Sequence, residues 1–153
     1  MIREMTISDA PALAEMAIKI WDSDDKVEIE QEFIDMTRNK ESTCFIKFID
    51  AKAIGFANAS LRHDYVEGCE TSPVAYLEAI YVEEEHRLLG YAKDLVNRCE
   101  EWGREQGAKE FASDCILTNT ASYKFHIAIG FKEVNRIICF KKDMLNSKKL
   151  AIH

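Results

Sequence analysis

Proline and glycine are scarce in this chain, two and six among 153 residues, and neither clusters. That excludes a Pro-rich or Gly-rich linker, and no internal repeat or low-complexity tract takes its place. One domain over residues 1–142, large enough to bury its own core, is therefore expected, with a polar tail at 143–153. Long apolar runs are missing too, none approaching the ~20 residues of a membrane helix. The N-terminal MIREMTIS has an acid where the apolar core of a signal peptide would begin, so a cytoplasmic protein without a membrane partner is expected. Five cysteines, Cys44, Cys69, Cys99, Cys115 and Cys139, are an odd number without a C-x-x-C pair and read as reduced thiols. The histidines His63, His86, His126 and His153 lack zinc-like spacing, and no metal is expected. Positive charge is in deficit, 20 bases against 27 acids for a net charge of −7. Such a surface repels nucleic acid and steers cationic partners inward, although solubility alone explains a total of this size.

What is present reads as alternating elements. Ile2 to Met5 forms a first strand; Thr6 or Ser8 then caps a helix with Pro11 in its first turn and Leu13, Met16, Ala17 and Ile20 as its buried stripe. Trp21 and the acids Asp22, Asp24 and Asp25 interrupt, and Val27 to Arg38 makes a second helix with Ile29, Phe33 and Met36 inward. Cys44 to Ile49 and Ile54 to Leu61 pair as a hairpin across Asp50 to Ala53. A long polar loop, Arg62 to Pro73, follows, and its size marks it as a functional candidate. After the central helix, Gly107 stands as a terminator. Lys109 to Cys115 reads as a strand with Asp114 near its end, Asn119 caps a shorter helix closed by Gly130-Phe131, and Glu133 to Lys141 reads as a last strand. The expected class is α/β, an α+β mixed sheet in the order β-α-α-β-β-β-α-β-α-β.

The stretch at 76–99 organises the rest. Tyr76 to Val82 is a buried-strand run broken only by Glu78, and from Ala92 the apolar residues Leu95, Val96, Cys99 and Trp102 recur at helical spacing. Gly90 sits at the helix mouth with small Ala92 two places on, which lets an anion approach first-turn N–H groups. In mixed sheets ligands enter at the carboxyl ends of parallel strands, so the ends at Val82 and Asp114 and the Gly90 helix all point to one place.

Arg87-Leu88-Leu89-Gly90-Tyr91-Ala92 as an R-x-x-G-x-A turn, followed at the right distance by Asn119 and Gly130-Phe131, resembles the GCN5-related N-acetyltransferases over residues 2 to about 142. Lys19-Ile20-Trp21, the segment from Gly55 to Val66 and Leu77 to Val82 are similar to the aminoglycoside 6'-N-acetyltransferase branch. The resemblance implies the acyl-CoA N-acyltransferase fold of that family, acetyl-CoA as donor and a cationic aminoglycoside as acceptor, with direct transfer in a ternary complex and a homodimer. It places the pyrophosphate on backbone N–H groups of Leu88, Leu89, Gly90, Tyr91, Ala92 and Lys93, and the acetyl-pantetheine arm along Ile80, Tyr81 and Val82, with Asn119 bonding to the arm.

On the acceptor side it implies Glu78 as the carboxylate that receives the ammonium and leads its proton away, Asp114 as holder of a neighbouring ammonium, and Trp21 and Tyr65 as walls against sugar rings. Packing is the ordinary alternative for Trp21 and Tyr65. An internal ion pair is the alternative for Glu78, and a loop-start carboxylate accepting N–H groups for Asp114. Two positions depart from the pattern. Where a tyrosine commonly protonates the leaving thiolate the chain has His126, with Tyr123 one turn earlier, so His126, Tyr123 or solvent is left as the acid. Asn135 stands where an acid is expected to bind an ammonium. Cys115, next to Asp114, points to the opposite strand face by alternation, against an acetyl-cysteine route. A polyamine or protein N-acetyltransferase, or a CoA-binding protein without catalysis, is the competing reading.

Overall fold

The computed structural model describes residues 1–145. Five strands, β1 (Ile2–Glu4), β2 (Ser42–Ile49), β3 (Lys52–Arg62), β4 (Val74–Val82) and β5 (Phe111–Ala112), form one sheet in the order β1-β2-β3-β4-β5. Neighbours pair antiparallel except β4 and β5, which run parallel, as a helical crossover between them requires. Helices α1 (Ala10–Ala17) and α2 (Lys26–Thr37) cover one face, while α3 (Tyr91–Glu105) and α4 (Thr120–Ala128) lie with the other.

Each face has its own apolar cluster. On the α1–α2 face Leu13, Ala14, Ile29 and Phe33 pack against Cys44, Ile46, Phe56 and Tyr81. On the α3 face Leu95, Val96, Cys99 and Trp102 pack against Phe45, Ala57, Ala59, Leu77 and Val82. The alternation of β2 and β3 residues between the clusters is the period-two pattern of a sheet covered on both sides. α3 sits close on β4: a Cβ added at Gly103 would stand 2.6 Å from the Ala75 Cβ, so this approach requires glycine.

Local signals act largely as expected. Asp25 caps α2, accepting from Glu28 N–H at 3.1 Å, and Asn119 caps α4, accepting from Ser122 N–H at 3.1 Å. Four features differ. α1 is not capped by Thr6 or Ser8: a short 3-10 turn, Ile7–Asp9, intervenes and Asp9 occupies the N-cap. The Asp9 carboxylate is committed upstream, to Arg3 at 2.7 and 2.9 Å and to Thr6 N–H at 2.7 Å. The guanidinium and these N–H bonds hold its pKa below the usual carboxylate range, against a smaller opposing effect of burial. Because α1 ends at Ala17, Ile20 lies beyond it and is exposed rather than part of its stripe. β5 is two residues long rather than seven, since only Ala75↔Phe111 and Tyr76↔Ala112 pair. Finally, the strand expected at Glu133 to Lys141 is absent: the segment pairs with no strand, and Val134, Ile137, Ile138 and Phe140 are exposed. Its apolar pattern specifies a strand face, but β5 is too short to offer the edge it needs. The expected tail at 143–153 lies mostly outside the described residues.

Candidate active site

The site begins where two strands part. β4 and β5 are paired only as far as Tyr76 and Ala112. Past that point β4 is hydrogen-bonded on one side alone, through Ala57↔Ile80, Phe56↔Tyr81 and Gly55↔Val82. Its other edge, toward β5, is left for an added extended chain, as an unpaired edge invites. Ser113 Oγ stands 3.4 Å from the Leu77 carbonyl at one end of this edge, and Arg87 Nε donates to the Val82 carbonyl at 2.8 Å at the other.

At the same point β4 carries a bulge. Asn58 pairs with Ala79 and Ala59 with Leu77, so Glu78 is an extra residue without a partner on β3. Before the bulge, Leu77 faces α3 and Tyr76 the other side. After it, Ile80 and Val82 face α3 while Ala79 and Tyr81 join the α1–α2 cluster. Inserting one residue reverses the phase of the strand, and Glu78 is swung out at the reversal.

Glu78 is exposed on the strand, yet its carboxylate is well held. Ser60 Oγ donates to its Oε1 at 2.7 Å, and Arg62 donates through Nε to Oε1 and Nη2 to Oε2, both at 2.9 Å. The Arg62 guanidinium lies 3.4 Å from the centroid of the Tyr76 ring, and the Tyr76 hydroxyl donates to Asp114 Oδ2. Burial first, and then this bond to a carboxylate, push the Tyr76 pKa well above its ordinary value, so the hydroxyl remains a donor. Glu78 and Asp114, paired in the sequence argument through the family resemblance, thus belong to one connected network. Asp114 itself stands two residues past β5.

His126, on α4, is pinned at both nitrogens. Nδ1 is 2.7 Å from the Ser122 carbonyl, which can only accept, so Nδ1 carries the proton. Nε2, 2.8 Å from Ser113 Oγ, is then the acceptor in the neutral ring. Tyr123, three residues earlier, is partly exposed. Asn119 Oδ1 is used by its cap, leaving Nδ2 to reach outward.

The turn before α3 carries the other half of the site. Leu88 (φ 64°) and Gly90 (φ 87°) both adopt left-handed backbone. For a bulky residue such as Leu88 that conformation costs roughly 1–2 kcal/mol, a strain tolerated where backbone N–H groups must converge on a ligand. Leu88 and Leu89 are exposed, Tyr91 and Ala92 are partly buried on the α3 face, and Lys93 is exposed. Nothing lies within 4 Å of where a Gly90 Cβ would be, so the space in front of the helix mouth is open. These features fit an anion at the N-terminus of a 15-residue helix.

The remaining expected residues are not joined to this network. Trp21 stacks on Phe33 at 5.1 Å, so packing takes one face of its ring. Tyr65 is 77% exposed on its loop. Asn135 donates to Glu67 and accepts from Arg136 N–H at 2.8 Å, fastening the last described segment to the polar loop. Among the described residues no hydrogen bond or ring contact links Trp21, Tyr65 or Asn135 to Glu78 or Asp114. Cys115 is exposed, whereas burial pushes Cys99 up to about 12 and Cys44 well above the thiol range. All five cysteines are unpaired, no group of side chains suited to a metal exists among the described residues, and no described helix is long and apolar enough to cross a membrane. Sequence reasoning missed Ser60, Arg62 and Tyr76 as members of the site. The one available signal was the i, i+2 spacing that sets Tyr76 and Glu78 on one strand face and Ser60 and Arg62 on the strand beside it.

Comparison with known proteins identifies the family. The model of the Acetyltransferase (GNAT) family matches residues 10–131. Aminoglycoside N(6')-acetyltransferase type 1 of Salmonella typhimurium (strain LT2) is 49% identical over 98 residues, 64% of this chain and 68% of its own. The protein of that name from Stenotrophomonas maltophilia is 35% identical over 145 residues, 94% of this chain and 93% of its own. The solved structure of AAC(6')-Iy in complex with the bisubstrate analogue CoA-S-monomethyl-acetylneamine superimposes with a TM-score of 0.90 at 36% identity, covering 94% of this chain and 98% of that one.

Proposed function

The chain belongs to the GNAT acetyltransferase family, and from that premise we propose that it transfers the acetyl group of acetyl-CoA to the 6'-amine of aminoglycosides, inactivating them as antibiotics. The observation that carries this reading is the parting of β4 and β5 with Glu78 swung out at the point of parting. It supports a donor thioester laid along the open edge and an acceptor amine on the bulge side, meeting at one strand.

The chemistry follows from that meeting. An ammonium, with a pKa near ~10.4 if it resembles lysine, cannot attack until it loses a proton. Glu78 has both oxygens fixed by neighbours and receives the cation with the capacity left over; the proton leaves through it or through water it orders. Asp114, tethered by Tyr76, takes a second ammonium of the same molecule. Backbone of Ile80, Tyr81 and Val82 holds the pantetheine arm and stabilises the oxyanion formed on attack, and the turn from Leu88 to Lys93 holds the pyrophosphate. His126 is held at Nδ1 by the Ser122 carbonyl and at Nε2 by Ser113 Oγ, and His126, Tyr123 or solvent protonates the CoA thiolate. Trp21 and Tyr65 border the sugar, and Asn135 sets the polar loop through Glu67.

We further propose a homodimer in the cytoplasm. The exposed apolar side chains of Val134, Ile137, Ile138 and Phe140 support association, and the five unpaired cysteines support a reducing compartment. A thiol-release assay with acetyl-CoA over a panel of aminoglycosides, polyamines and peptide amines tests the function. Release confined to acceptors that bear a 6'-amine is expected, and release with polyamines or peptides alone would overturn the reading.

A further inference from the structure

Arg62 has no part in the reaction as described, yet it is the centre of the acceptor-side network. Its guanidinium binds both oxygens of Glu78 at 2.9 Å and lies 3.4 Å from the Tyr76 ring centroid, and Tyr76 in turn holds Asp114. The two carboxylates are therefore joined through the guanidinium and the phenol ring it stacks on. Its positive charge works against a cationic ligand, so attraction does not explain its presence here; geometry does. A two-pronged contact fixes the plane and position of a carboxylate in a way a single contact does not, and stacking on Tyr76 fixes the plane of the fork itself. Glu78 has about four acceptor positions on its oxygens. Ser60 and Arg62 occupy three, which leaves one directed position for an ammonium.

We propose that Arg62 is a positioning residue that sets Glu78 and, through Tyr76, Asp114 at one separation, so that the site selects acceptors carrying two ammonium groups at matching spacing over monoamines. The inference rests on the reading of Glu78 and Asp114 as acceptor-facing. The same geometry admits an opposite role, in which the guanidinium occupies the place of the substrate's ammonium and must be displaced, and the two roles differ in sign.

The test measures kcat and KM for an aminoglycoside and for a monoamino sugar in wild type, Arg62→Gln, Arg62→Lys, Glu78→Gln and the Arg62→Gln/Glu78→Gln double variant. Acetyl-CoA affinity and thermal unfolding are measured alongside. Arg62→Gln is expected to raise aminoglycoside KM roughly tenfold with kcat within about threefold, and to raise the monoamine KM, which depends on Glu78 alone, by about threefold or less, so that preference for the aminoglycoside falls about threefold or more. Lysine, with the charge but not the fork, is expected to restore less than half of the lost preference. In the Glu78→Gln background the Arg62 effect is expected to shrink below about twofold, because the two act as a unit. A lower KM in Arg62→Gln, full restoration by lysine, additive effects in the double variant, or weakened acetyl-CoA binding in both Arg62 variants would each overturn the proposal. Unchanged turnover in Glu78→Gln alone would instead bring down the acceptor-site reading and this inference with it, so the two failures are distinguishable.

Discussion

In one half of the site, the features proposed to hold the donor belong to the backbone: the unpaired edge of β4 beyond Tyr76, and a turn whose Leu88 and Gly90 both have positive φ. In the other, the features proposed to hold the acceptor are side chains joined in series, Ser60 and Arg62 to Glu78, and Arg62 over Tyr76 to Asp114. The difference teaches where each half is vulnerable. A backbone site is indifferent to most side chains and sensitive to conformation, whereas a side-chain network fails at any one link and leaves the backbone site untouched.

The comparison breaks most sharply at Glu78. Replacing Glu78 with Gln keeps the shape and removes the charge, so kcat/KM for an aminoglycoside should drop on the order of 10²-fold or more, while calorimetric acetyl-CoA affinity stays within error. Gly90→Val is the reciprocal experiment. A β-branched residue at φ 87° costs roughly 1–2 kcal/mol and sets methyl groups in the open helix mouth, so acetyl-CoA affinity should weaken about tenfold with aminoglycoside binding intact; unaltered affinity would rule out the pyrophosphate seat. A smaller effect is expected at Tyr76→Phe, which frees Asp114 from its tether and should raise acceptor KM a few-fold. Because the pKa of Tyr76 is raised, its neutral form persists above pH 10.0, where an ordinary tyrosine ionises. In an alkaline absorbance titration, wild type minus Tyr76→Phe should therefore show no phenolate signal near that pH. The smallest effect belongs to Leu88→Ala. If the turn binds through its main chain, removing this fully exposed side chain should change acetyl-CoA affinity less than about twofold, and a large loss would break the division between backbone and side-chain binding.

How legible these halves were in the sequence follows from the same division. Gly90 and the switch from strand to helix period marked the donor turn, since only a few residue types tolerate that backbone. Leu88 gave no hint of its left-handed conformation, because nothing in a leucine records it. Glu78 was conspicuous as the one charge in an apolar run, and Asp114 followed from strand ends. Arg62 and Tyr76 were read as a loop start and a strand aromatic, since a network across β3 and β4 depends on register, and a bulge alters register without any residue that signals it. The sheet and its helices up to α4 were legible because periodicity reports which face is buried. Periodicity does not report the partner: residues 133–141 have a strand's pattern, but the short β5 provides no edge for them, and every buried residue in the described chain precedes Arg104.

The extra residue at Glu78 makes β4 two short strands in series with opposite phase. Tolerance to substitution along it should therefore show a two-residue rhythm that skips one beat, with Ala75, Leu77, Ile80 and Val82 behaving alike. Deleting Ala79 would restore an unbroken rhythm with Leu77, Ile80 and Val82 still on the α3 face, and would remove the extra residue that swings Glu78 out. For this strand, chain length between Leu77 and Ile80 matters more than the identity of any side chain but one.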